Sequence, residues 1–162
     1  MEKVEMNKDI KLSEHFSLGE LTKTNYVTKD GNFPSRVAIE NLTNICENWL
    51  EDLRYSYNTL YSRDRPQDEI PLVINSGYRS PEVNKLAGGA PTSNHLTGCA
   101  VDIHVSGFEQ AIRYASILLD ISEGTQRDYD ELFIEKNKTG SHWIHFAVRP
   151  KDNRRKSGFI KV

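Results

Sequence analysis

No stretch of the 162-residue sequence approaches the roughly 20 apolar residues that span a bilayer, and no basic start leads into a hydrophobic run. Membrane insertion and a secretory leader are therefore not expected, and synthesis in the cytoplasm is. The chain also lacks an excess of one charge: 21 Lys and Arg stand against 23 Asp and Glu, a formal net charge of -2. A dedicated nucleic-acid binder carries a strong basic excess, so no nucleic-acid partner is expected. Cysteine is scarce. Cys46 and Cys99 lie among apolar neighbours, one in a predicted helix and one in a predicted strand, and read as buried free thiols rather than a disulfide. There is no internal repeat, low-complexity tract or interdomain linker. The expectation is a monomer with a single domain over residues 13–150. A charged, aperiodic arm (1–12) precedes it, and a basic, solvated tail (151–162) continues Arg149-Pro-Lys-Asp-Asn-Arg-Arg-Lys156.

What is present is a mixture of helical and strand patterns. Ser17-Leu-Gly-Glu20, flanked by Phe16 and Leu21, has the form of a capping box with a hydrophobic staple. A loop with an Asp30-Gly31 turn and Pro34 follows. Leu42, Ile45, Cys46, Trp49, Leu50 and Leu53 then repeat at helical spacing and predict an amphipathic helix over Arg36–Arg54, with Trp49 in the core. Tyr55–Glu69 is polar and reads as an irregular surface insertion. Ile70–Asn75 predicts a short strand that ends at Ser76-Gly77-Tyr78-Arg79. Ser80-Pro81 starts a short helix closed by Gly88-Gly89. Cys99–Val105 predicts a strand. Ser106-x-x-Glu109 has the form of a second capping box, opening a helix with Phe108, Ala111, Ile112, Ala115, Leu118 and Leu119 on its apolar side. Tyr129–Lys136 and His142–Val148 predict two antiparallel strands joined at Asn137-Lys-Thr-Gly140. The fold class expected is α+β, an antiparallel sheet with helices mainly on one side.

The chemistry concentrates in Ser93-x-His95-x-x-Gly98-x-Ala100-x-Asp102. Gly98 supplies a turn, because glycine tolerates backbone angles that other residues avoid. In the strand that follows, Ala100, Asp102 and His104 share one face, and Cys99, Val101, Ile103 and Val105 the other. Cys99 therefore points away from Asp102 and is not counted as a ligand. The small Ala100 leaves space beside the carboxylate. His145, in Ser141-His-Trp-Ile-His145, is the candidate third ligand. Two neutral imidazoles and one carboxylate form a usual hydrolytic zinc shell, with the fourth position left to water. Singly, each residue reads more simply as a hydrogen-bonded loop or strand residue.

The whole constellation resembles a family. Ser-x-His-x-x-Gly-x-Ala-x-Asp, preceded by Ser76-Gly-Tyr-Arg-Ser-Pro81 and followed by Trp143-x-His145, looks like the zinc D-Ala-D-Ala carboxypeptidases. That family also contains L-alanyl-D-glutamate endopeptidases and phage endolysins, and the chain is most similar to its short phage and prophage members. The resemblance runs from about Phe16 to Val148. It implies the Hedgehog/D,D-peptidase fold, one zinc ion on His95, Asp102 and His145, and a peptidoglycan stem peptide as substrate. A wall enzyme without a leader needs delivery or release by another protein. Arg79 matches the active-site arginine of the family's Tyr-Arg-Ser-Pro motif, and its planar fork suits a carboxylate or a charged carbonyl oxygen. Ser93 is a candidate for substrate contact or for anchoring the His95 loop, and His104 for an outer-shell role.

The general base is where the chain departs from the family. Better known members carry a carboxylate three residues before the third ligand, and here that position is His142. Glu135, on the preceding strand in a family-like Asp130-x-Leu132-x-x-Glu135 pattern, is the alternative. Paired opposite Trp143, Glu135 shares a face with His145; paired opposite His142, it points away. Both remain candidates at this level. So does a catalytically weak binding or phage structural module that keeps the fold without turnover.

Overall fold

The computed structural model describes residues 6–62 and 69–162. Residues 1–5 of the arm and 63–68 of the insertion lie outside the described residues. The arm is docked from Met6 onward rather than loose. Gly19 donates to the Lys8 carbonyl, Leu18 to Ile10 and Leu12 to Phe16, and the Leu12 side chain is buried. These bonds hold the entry to α1 (Leu18–Thr22), whose capping box forms as its sequence predicts. The Ser17 hydroxyl accepts from the Glu20 amide, and the Glu20 carboxylate from the Ser17 amide.

The long helix starts on a Ser35 cap and runs further than Arg54. It comprises α2 (Arg36–Ile45), a π-helical stretch (Cys46–Leu50) and α3 (Glu51–Tyr61). The segment expected to be irregular from Tyr55 is thus helical to Tyr61. Tyr57 continues the Trp49–Leu53 stripe at a four-residue interval, and its ring packs edge-on against Tyr114 at 4.8 Å. Tyrosine is polar only at its tip, so a stripe finished in tyrosine does not register as apolar. Asn58 then draws the returning chain in, because its amide exchanges two hydrogen bonds with the backbone of Ile70. The strand expected over Ile70–Asn75 forms later and shorter as β1 (Ile74–Ser76), with the Val73 carbonyl also accepting from the His104 amide. Next come α4 (Pro81–Leu86), capped by Ser80, and a 3-10 turn (Asn94–Thr97) leading into β2 (Ala100–His104).

The predicted capping box of α5 (Phe108–Thr125) does not form. Gly107 is the cap, the Gln110 side chain takes the Ser106 amide, and Glu109 turns to Arg113 instead. The helix accordingly buries Ala111, Tyr114, Ile117, Leu118 and Ser122, and leaves Phe108, Ile112 and Leu119 exposed.

Three further strands follow: β3 (Glu131–Lys136), β4 (His142–Ala147) and β5 (Lys156–Lys161). The sheet order is β1-β2-β4-β3-β5, antiparallel except at its edge, where β5 runs parallel to β3 from Glu131↔Lys156 to Lys136↔Lys161. This corrects the reading of residues 151–162 as a solvated tail. Nearly all β5 side chains are exposed, so they carry no burial signal, while the backbone completes a ladder. Val101, Ile103, Leu132, Ile134, Ile144 and Phe146 form the face packed against the long helices, with Trp49 edge-on to Phe146 at 5.1 Å. The opposite sheet face carries the polar residues. Among the described residues no helix is long and apolar enough to cross a membrane. Cys46 and Cys99 are free and buried, and burial pushes both thiols up.

Candidate metal centre

The register of the two central strands sets Asp102 directly opposite His145. Residues directly opposite in an antiparallel pair share a face with neighbouring side chains, so this pairing alone brings the carboxylate and one imidazole together. His95 arrives from outside the sheet. Ser93 caps the turn that carries it, its hydroxyl accepting from the His95 amide at 3.2 Å. Gly98 ends that turn with a left-handed φ of 72°, and a Cβ there would sit 2.3 Å from the Ala38 carbonyl oxygen. Both facts demand glycine. On the other flank Gly77 lets the Leu21 carbonyl pass where a Cβ would sit, 2.2 Å away. The Gly77 carbonyl in turn fixes the His95 ring.

The Nδ1 of His95 lies 2.6 Å from the Gly77 carbonyl oxygen. A carbonyl only accepts, so Nδ1 carries the hydrogen and Nε2 is left as the ligand atom. That Nε2 lies 3.4 Å from Asp102 Oδ1, and His145 Nδ1 lies 3.2 Å from the same oxygen. Two bonds of about 2.0–2.1 Å meeting at a tetrahedral angle separate their ligand atoms by roughly 3.3 Å, so these spacings fit a zinc-sized ion. One atom from each of the three residues falls within 4.8 Å of the others. The second acid-rich group among the described residues, Glu14, His15 and Glu51, is largely exposed and is accounted for by a 2.7 Å His15–Glu51 hydrogen bond.

Charge in the centre follows from burial and pairing. Burial raises the Asp102 carboxyl, but the two imidazoles outweigh it and hold the group well below the usual carboxylate range. Burial lowers the His145 imidazolium, yet hydrogen bonds to Asp102 and Glu131, with the charges of Asp102 and Glu135, push it up to about 10. A cation held at Nδ1 would have to displace that proton.

Arg79 reaches the centre through Asp102. Its NH2 donates to Oδ2 at 3.0 Å and its Nε to Ser76 Oγ at 3.1 Å, which leaves Oδ1 turned toward the imidazoles. The guanidinium also lines a cleft of about 480 Å³ that runs over the centre past His95, Glu135, Trp143 and Arg149. Ser93 lines the same cleft. Asn32, unremarkable in the sequence, holds the Arg79 turn. It accepts from the Ser80 amide at 2.7 Å and donates to the carbonyls of Thr22 and Tyr78.

The hairpin register separates the two candidate bases. Glu135 pairs with Trp143, and Lys136 with His142. Glu135 consequently shares the face of His145 and Asp102, and its Oε2 accepts from Trp143 Nε1 at 2.6 Å. Burial raises its carboxyl above the ordinary glutamate range. His142 points to the opposite face, its ring 5.5 Å from Phe108. A side chain on that face has no path to a proton at the metal centre. His104 shares the face of Asp102 but stands exposed at the strand end.

Sequence reasoning missed Glu131. Its Oε1 lies 3.2 Å from His145 Nε2 and 2.7 Å from Asn94 Nδ2. The alternation Glu131-x-Phe133-x-Glu135 places it on the Glu135 face, but only the register brings that face to His145.

Residues 14–131 match the model of the family described as Peptidase M15. The chain belongs to the peptidase M15 family. The matched span takes in Arg79, His95, Asp102 and Glu131 and stops short of Glu135 and His145, so the strand register is what supplies the rest of the centre. No curated protein matches the chain. As an M15 chain it is a peptidase, a hydrolase of a family typically dependent on zinc, and its His95, Asp102 and His145 form a group able to hold such an ion.

Proposed function

We propose that this M15 peptidase hydrolyses, with one zinc ion, peptide bonds in peptidoglycan stem peptides or their cross-links. It acts as a carboxypeptidase or endopeptidase of endolysin type. The observation that carries the reading is the convergence of His95 Nε2, His145 Nδ1 and Asp102 Oδ1, with Glu135 on the same open face. Zinc held by His95, Asp102 and His145 would supply a water of lowered pKa and polarisation of the scissile carbonyl.

The chain's own residues supply the rest. Gly77 and Glu131 orient the two rings, and Arg79 holds Oδ2 of Asp102 so that Oδ1 faces inward. Glu135 takes the proton of the attacking water and returns it to the leaving amine, while Trp143 anchors one of its oxygens and leaves the other to accept. Arg79 and Arg149 line the cleft with positive charge, complementary to the carboxylates of a stem peptide. Ser93 keeps the His95 turn in place and offers its hydroxyl to the substrate backbone. The protein is a monomer made in the cytoplasm, released or delivered to the wall by another protein in a phage or prophage setting.

The test is purified protein loaded with zinc, offered a cell-wall suspension and defined stem peptides. Cleavage at one bond type, abolished by chelation and restored by zinc, supports the reading. Full loading without cleavage of any stem peptide transfers the protein to the second reading, a wall-binding or structural module. That reading is favoured by one fact: the carboxylate three residues before the third ligand is replaced by His142, which points away.

A further inference from the structure

The bonding around His145 continues beyond the three ligands. Its Nε2, the nitrogen turned away from Asp102, meets Glu131 Oε1 at 3.2 Å. The same oxygen accepts from Asn94 Nδ2 at 2.7 Å, and that amide also donates to Asp130 Oδ2 at 2.8 Å. Asn94 precedes His95, so one side chain links the turn carrying the first imidazole to the acid touching the other. Asp130 has no exposed surface. Arg154 grips it with both arms of its guanidinium, Nε to Oδ1 at 3.0 Å and NH2 to Oδ2 at 2.7 Å, and adds its backbone amide at 3.0 Å. A planar fork on a carboxylate fixes orientation as well as distance. The Arg154–Asp130–Asn94–Glu131 chain therefore runs from the segment before β5 to the far nitrogen of a metal-ligand ring.

We propose that Glu131 is the positioning residue of His145, holding its ring so that Nδ1 faces the ion, and that the Asn94–Asp130–Arg154 strut fixes Glu131 in turn. The inference rests on the zinc reading above. An imidazole ligand free to spin about its Cβ–Cγ bond presents the right nitrogen for only part of the time. A carboxylate on the second nitrogen removes that freedom and raises the basicity of the first. Glu131 shares the open face with Glu135, but His145 Nε2 and Asn94 occupy its Oε1 and Arg154 lies 3.7 Å from its Oε2, so it serves the ring rather than the attacking water.

The test uses the full chain with Glu131→Ala and Glu131→Gln. Zinc affinity is read by chelator competition, and geometry by the visible spectrum of the cobalt-substituted protein. Thermal melting of the metal-free chain checks the fold. Loss of an outer-shell partner typically costs about 10–100-fold in metal affinity, and that loss is expected for Glu131→Ala together with an altered cobalt spectrum. Glu131→Gln keeps an oxygen for the ring N–H, so it should restore the parental spectrum and part of the affinity. Parental affinity and spectrum in Glu131→Ala would overturn the proposal. So would a Glu131→Gln no better than Glu131→Ala, since position would then count for nothing. A parent chain that binds no zinc is a different result, and it removes the metal reading itself.

Discussion

Replacing Glu135 by Gln removes one proton-accepting oxygen and the negative charge that helps raise His145, and changes little else. The side chain keeps its volume, its place opposite Trp143 and an oxygen for the Trp143 N–H. It makes no hydrogen bond to His95, Asp102 or His145 among the described residues, so zinc content should be unchanged. General acid–base catalysis contributes about 10²–10⁴-fold, or roughly 3–5 kcal/mol of barrier, and hydrolysis should slow on that scale. His142→Ala is the control. Its ring lies across the sheet against Phe108, in an apolar groove that Phe159 also lines, so its loss should leave turnover close to parental. The assay is release of the new amine from a purified stem peptide at saturating zinc, with metal content measured on the same samples. Full activity in Glu135→Gln with loss in His142→Ala would refute the register argument, because a residue facing the helices would then be exchanging a proton on the open face.

Zinc must displace the His145 proton, held up to about 10, so affinity should weaken by about tenfold per unit as pH falls through the neutral range. Chelator competition across that range checks this, and a flat profile contradicts it. Asp130 is depressed from 3.8 to about 2: burial opposes the shift, and hydrogen bonds from Arg154 and Asn94 outweigh it. A depressed carboxyl gives stability that is fully present above its unfolded pKa and lost as pH falls through the folded one. About 2 kcal/mol should therefore disappear between roughly pH 4 and pH 2. Denaturant melts in that window should show the slope in the parent and lack this part of it in Asp130→Asn. Gly98→Ala combines a left-handed φ, costing about 1–2 kcal/mol for a residue with a Cβ, with a contact on the Ala38 carbonyl. Urea unfolding should show at least that loss, and zinc affinity should fall with it because the same turn carries His95.

Much of the centre was legible because it is written in short-range chemistry. His95, Gly98 and Asp102 lie within eight residues, and one left-handed glycine followed by one strand suffices to relate them. The Ser17 box and the Ser80-Pro81 start likewise depend on neighbours within a turn. What stayed hidden depends on partners far along the chain. β5 reads as a charged tail because its side chains are exposed, and what holds it is β3 backbone and the buried Asp130. The last turns of α3, from Tyr55, read as loop because Tyr57 finishes the stripe. The second capping box, by contrast, failed for a local reason: α5 starts on Gly107, Gln110 takes the Ser106 amide and Glu109 turns to Arg113.

Strand register is the step that turns these pieces into a site. A slip of one residue moves every side chain of a strand to the other face. Had β4 paired with β2 one position along, His145 would face Trp49 and the core, and His142 would join Asp102. Had β3 slipped against β4, Glu135 and Glu131 would leave together, taking the base and the His145 partner at once. The apolar set Ile134, Ile144, Phe146, Val101 and Ile103 resists both slips, because either would carry these side chains to the open face. At about 1.5–3 kcal/mol per fully buried aliphatic side chain, that resistance exceeds any single polar contact in the centre. The hydrophobic face of the sheet, rather than the polar residues themselves, holds the ligands and the base on one side.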